Sequence, residues 1–208
     1  MTSKNIIIGL VLFLLPAVSF AWWSDEWSFR KQIKLDTTPA GLGIAENLTN
    51  TPVLVRLHTG NFGYFLDMMA NGEDLRFVAG DDKTPLKFHI EKFDPINEMA
   101  LIWVNVPQLN ANINTDTIWM YYGNPNAVAG GDARGTFDVN QALVYHFNSE
   151  TGAPVDQTAY GNNPGRFDAE FNGAALLGSG AKFSDGNAIL VPGKPSLRLM
   201  PDAGWTFS

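Results

Sequence analysis

Apolar and polar residues alternate with a period of two through much of the first 120 residues. Ile33 and Leu35 alternate with Gln32 and Lys34. Val53, Val55 and Leu57 alternate with Leu54, Arg56 and His58, and Leu86, Phe88 and Ile90 with Lys87, His89 and Glu91. Such a period places one face of a strand on a core and the other in water. Residues 99–106 and 117–122 are more continuously apolar and aromatic, the pattern of central strands covered on both faces. Turn chemistry separates these runs at Asn71-Gly72, Gly80-Asp81-Asp82, Asp94-Pro95 and Asn124-Pro125. Only residues 62–70 read as a short helical turn. The pattern predicts an all-β protein, an antiparallel β-sandwich or a related barrel.

The same pattern divides the chain. Residues 22–123 form the first predicted domain. Residues 124–136, NPNAVAGGDARGT, are small, polar and Gly-rich, which suits a linker. A second domain is expected over 137–208, opening with a strand at 142–147. A loop rich in Gly, Asn, Asp and Pro follows over 152–173. Residues 180–186 and 188–191 read as a hairpin. Residues 204–208 read as a strand cut short, so the second domain is expected to be truncated.

The first 21 residues have a different grammar. Lys4 precedes an apolar run over 6–15, Pro16 breaks it, and Ser19 and Ala21 stand at the −3 and −1 positions of a cleavage site. This is the pattern of a secretory signal peptide, and the run is short for a spanning helix of about 20 residues. The expectation is an exported protein that begins near Trp22, in the periplasm or cell envelope. Export permits disulfides, yet the chain has no cysteine, so packing alone must hold the fold.

A formal net charge of −7 argues against a nucleic-acid partner, because neutralising phosphates requires Lys and Arg. With 45% hydrophobic and 12% aromatic residues, disorder is excluded for most of the chain. His58, His89 and His146 show no metal-binding spacing and read as surface or structural histidines. Glycoside hydrolysis needs two carboxylates about 5–9 Å apart. No E-x-D or E-x-E strand pair exists, Glu73-Asp74 are adjacent, and Asp81-Asp82 sit in a turn. No catalytic residue is assigned and no enzyme activity is expected. Trp22, Trp23 and Trp27 cluster after the cleavage site and are candidate ligand-binding aromatics; covering a sheet edge is the competing role. Asn47-Leu48-Thr49 fits a glycosylation sequon, a triplet that Asn-rich loops also produce by chance.

Four segments in order carry a resemblance: Trp27-Ser28-Phe29-Arg30-Lys31, Asp74-Leu75-Arg76-Phe77, Ile102-Trp103-Val104-Asn105-Val106-Pro107 and Tyr121-Tyr122-Gly123-Asn124-Pro125. Over about residues 25–137 the chain resembles a bacterial domain of unknown function. The rest resembles the opening half of a laminin-G/concanavalin-like jelly roll, through 142–147, Asp156-Gln157-Thr158-Ala159-Tyr160-Gly161-Asn162 and 180–186. That second resemblance implies a calcium site on Asp156, Asn162 and Asp185, although Asp and Asn also serve turns at such places. The tandem behind a signal peptide is similar to the N-terminal region of exported MotA/TolQ/ExbB proton-channel family proteins. The implied function is a non-catalytic periplasmic binding or sensing region, tethered to the inner membrane by channel helices C-terminal to this sequence. A glycan or an envelope protein is the implied ligand or partner. A secreted glycan-binding module and the first part of a concanavalin-like glycosidase remain open.

Overall fold

The computed structural model describes residues 22–148, 152–172, 175, 179–198, 200 and 204–206. The predicted signal peptide at 1–21 and the last two residues lie outside them. The architecture is an antiparallel β-sandwich followed by short nested strand pairs. One sheet has the order β1-β7-β3-β4, from β1 (Phe29–Leu35), β7 (Asp116–Tyr122), β3 (Arg76–Ala79) and β4 (Pro85–Leu86). The other has the order β2-β6-β5, from β2 (Leu48–His58), β6 (Met99–Leu109) and β5 (Phe88–Asp94). All their pairings are antiparallel.

Alternation sorts the side chains as the sequence requires. Leu35, Phe77, Ile118 and Met120 face Val55, Leu57, Phe88, Ile102 and Val104 in one core. Each such side chain contributes about 1.5–3 kcal/mol on leaving water. A turn of 3-10 helix, Phe65–Asp67, lies within the expected helical stretch and buries Phe65 in that core.

The central strands β6 and β7 are covered on their outer faces too. Outside β7, Trp27, Val78 and Tyr121 form a second buried cluster, joined by Trp23, Trp119 and Ala127. Outside β6, Phe137 and His146 lie against Trp103. Residues 124–136 are docked there and carry the short helix α1 (Ala133–Thr136). Asp132 caps α1 through the Gly135 amide, and its own amide donates to the Phe88 carbonyl at 2.7 Å. The Asn105 side chain donates to the Thr136 carbonyl at 2.9 Å. The Gly-rich composition therefore serves close docking, since a Cβ at Gly130 would sit 2.5 Å from the Arg76 guanidinium carbon.

The C-terminal part corrects three local expectations. Residues 142–147 form no strand; side chains from the next loop hold them, with Asp156 accepting the Val144 amide at 3.0 Å. Residues 180–191 are not a simple hairpin. β10 (Gly180–Lys182) pairs with β9 (Glu170–Asn172), and β11 (Ile189–Leu190) pairs with β8 (Arg166–Phe167), one pair nested inside the other. Residues 204–206 carry no strand. An apolar run such as 142–147 needs a neighbouring ladder before it becomes a strand.

Candidate functional site

Asp74 joins the segments that the sequence singled out. It is fully buried, and its carboxylate accepts the Gly123 amide at 2.6 Å and the Met69 amide at 2.9 Å. Its carbonyl accepts the Trp27 indole N–H at 2.6 Å. Arg76 lies over the Trp27 ring, 5.2 Å from its centroid, and donates to the Val128 carbonyl at 2.6 Å. Trp27, Asp74, Arg76 and Gly123 thus form one unit that fixes where β7 ends.

That unit shapes an aromatic cleft. Gly123 has φ +84, and a Cβ there would sit 2.5 Å from the Phe29 ring. Glycine both tolerates the left-handed backbone and leaves the ring its place. Phe29 stacks on Tyr122 at 5.4 Å and 27°, and Tyr64 stacks on Tyr122 at 6.4 Å and 30°. Phe29 is 43% exposed and Tyr64 53%, while Tyr122 between them is 5% exposed. With Arg30, Lys31 and Asp67 they line an open cleft of about 380 Å³. The Tyr64, Tyr122 and Asp67 side chains make no hydrogen bond among the described residues. Burial, with Tyr64 and Asp67 close by, pushes the Tyr122 phenol above its ordinary value, so it stays a neutral donor.

The three predicted ligand-binding tryptophans lie elsewhere and differ from one another. Trp27 is 7% exposed and belongs to the core outside β7. Trp23 packs on Trp27 and Tyr121, and its amide donates to the Tyr121 hydroxyl at 2.9 Å. Trp22 is 39% exposed and meets Tyr121 edge-on at 6.0 Å. Arg30 lies between the Trp22 and Trp119 rings and pairs with Asp82, which accepts the Tyr121 hydroxyl. The arm covers a sheet face, and the Trp23 amide and the Trp27 indole N–H are engaged within the protein.

The predicted calcium ligands occupy two loops. Asp156 and Asn162 meet, but Asp185 is exposed in the turn before β11. Asp156 is 4% exposed and its two oxygens accept four donors. Oδ1 takes the Val144 and Thr158 amides, and Oδ2 takes the Thr158 hydroxyl and the Asn162 amide. Those bonds hold its pKa low against the opposing effect of burial, which is the largest single influence. A cation would have to displace these donors. Among the described residues no group of three or more His, Cys, Asp or Glu is placed to hold a metal.

His89 and His146, read as surface or structural residues, stack on each other at 5.1 Å and 20° where the chain crosses the outer face of β5. An extra residue in β5, Glu91, bulges between Ile90 and Lys92. Its Oε2 accepts the Trp103 indole N–H at 2.7 Å and lies 3.2 Å from His146 Nδ1. Burial above all, then the neighbouring His146, lowers the His89 pKa to about 4, with Glu91 opposing. The Nε2 atoms of both histidines are buried without a hydrogen-bond partner. His58 instead closes a turn, its Nδ1 accepting the Gly60 amide at 3.1 Å.

Sequence reasoning missed Phe29, Tyr64 and Tyr122 as a site. Phe29 and Tyr122 read as strand residues and Tyr64 as part of a helical turn. Their one legible signal was the Gly after Tyr121-Tyr122, which marks a close approach of another group.

Among the described residues no helix is long and apolar enough to cross a membrane. No curated protein and no solved structure matches the chain. Residues 71–163, from the Asp74 turn through the docked segment to the Asp156 loop, match the family model described as "Domain of unknown function (DUF2341)", and to that extent the chain is similar to that family.

Proposed function

We propose that this chain is a non-catalytic extracytoplasmic binding region, and that the Phe29–Tyr122–Tyr64 cleft takes a polyhydroxylated ligand of glycan type. One observation carries the reading: near-parallel rings, two of them exposed, stand beside Tyr and Asp groups with no partner among the described residues. Flat aromatic faces pack on the C–H faces of a sugar, while a few placed polar groups fix its orientation. The cleft lining holds one carboxylate, Asp67, whereas glycoside hydrolysis calls for two. Binding without turnover is the corresponding reading.

The place of this region in a larger protein rests on the resemblance to the MotA/TolQ/ExbB proton-channel family. In that setting the sandwich is a periplasmic sensing head, coupled to membrane helices encoded after Ser208. A freely secreted glycan-binding module is the second reading, favoured by the same cleft. Two experiments test the proposal. A glycan array probed with the purified chain should give hits that weaken in Phe29→Ala and Tyr64→Ala, and hits indifferent to both variants would remove the cleft. Extending the gene past Ser208 should reveal apolar segments of about 20 residues; their absence would leave only the secreted reading.

A further inference from the structure

The open side of the sandwich carries a second groove, which shares only Lys31 with the aromatic cleft. β1 and β2 are both edge strands, and they flank the same side of the core. Among the described residues no strand pairs with the outer edge of either. Between them runs a groove of about 410 Å³ whose lining includes Ile33, Leu42, Val53 and Val55. Ile33 and Val53 are only partly buried, and Leu42 is exposed. The wall is therefore apolar and flanked by two rows of backbone donors and acceptors, the template that an added strand completes.

Charge selects the occupant. Lys31, Lys34 and Arg56 line the groove and make no salt bridge among the described residues. The one acidic lining residue, Asp36, is engaged by the Thr38 amide and hydroxyl. A basic groove on a chain of net charge −7 is a local reversal of sign. It disfavours a second copy, because pairing β1 with β1 would set Lys31 and Lys34 against the same cations. We propose that this groove binds an extended peptide segment of a partner, with apolar residues alternating with Asp or Glu, by adding a strand to the sandwich edge. Apolar side chains of the segment fill the wall, and its outward carboxylates meet Lys34 when it pairs with β1, or Arg56 when it pairs with β2.

The test uses the purified chain and synthetic peptides of about eight residues, close to the length of an ordinary strand. The probe alternates valine with glutamate. Fluorescence anisotropy should show binding that weakens as salt rises, since the rim charges are exposed. Lys34→Glu combined with Arg56→Glu should weaken it by about tenfold or more. Both side chains are exposed, so circular dichroism should show an intact fold. A probe with alternate amides N-methylated should fail to bind, because it cannot complete a ladder. Equal binding of a valine–lysine peptide, or of the N-methylated probe, would overturn the proposal. So would binding of polygalacturonate without the peptide, or self-association of the chain that the double variant abolishes.

Discussion

The Asp74 carboxylate accepts the amide hydrogen of Gly123 across 49 positions of sequence, at 2.6 Å and in full burial. The bond ties the turn before β3 to the end of β7. The same carboxylate also holds the Met69 amide, so Asp74→Ala orphans two donors at once. An unmade buried bond costs roughly 1–3 kcal/mol, and the variant should lose roughly 2–4 kcal/mol in urea unfolding. Asp74→Asn keeps one acceptor oxygen and should fall between the variant and the parent.

Gly123→Ala tests how that turn positions the cleft. The new methyl meets the Phe29 ring and a backbone at φ +84. Stability should drop by about 1–2 kcal/mol. Glycan binding should fall with it, read by titration with the best array ligand.

Phe29→Ala and Tyr64→Ala should separate binding from folding. Both rings are about half exposed, so each variant should cost less than about 1 kcal/mol in stability. Affinity should weaken by about tenfold, the loss of one stacked ring. Isothermal titration beside a thermal melt distinguishes the two effects.

His89 makes stability depend on mildly acidic pH. Its folded pKa of about 4 lies below the ordinary histidine value of 6.5, so the fold prefers the neutral ring. The contribution is complete above pH 6.5 and is lost as pH falls from there towards 4. At the upper end of that window the carboxylates remain ionised, since even the unperturbed Glu value is 4.5. The loss should be on the order of 1–2 kcal/mol, below the full linkage value because solvent partly screens the ring. His89→Phe should flatten the stability profile between pH 6.5 and 5, measured by urea unfolding at fixed ionic strength.

Asp156 offers a direct check on calcium. Its oxygens already accept four donors, so chelation with EDTA should leave the melting temperature unchanged. Asp156→Asn replaces one acceptor oxygen by a donor facing the Asn162 amide and the Thr158 hydroxyl. It should cost roughly 1–3 kcal/mol with or without calcium. A calcium-dependent rise in the parent's melting temperature would support the metal reading.

The fold class was legible because strand alternation is local. Ile33 and Leu35, or Val53, Val55 and Leu57, show their inward face to anyone counting by two, and the turn residues mark where runs end. The four segments that carry the resemblance were equally visible, but the bonds from Asp74 to Gly123 and to Trp27 were not. Each spans about 50 positions, and sequence order carries no distance across a sandwich. Residues 142–147 have the composition of a strand, yet they form none, because a strand is made by its neighbour.

By itself, then, the sequence determined an antiparallel β-sandwich, its inward faces and its turns, since these follow from period and residue type. Tertiary structure decided which aromatics are buried and which are presented. Trp27 went into a core while Phe29 and Tyr64 came to flank Tyr122. It also decided that Asp156 closes a loop on itself, and that β1 and β2 stand as two open edges on one side. The physical reason is common to all of these. Exposure, stacking and edge pairing depend on what another part of the chain covers, and a linear pattern records only what each residue prefers.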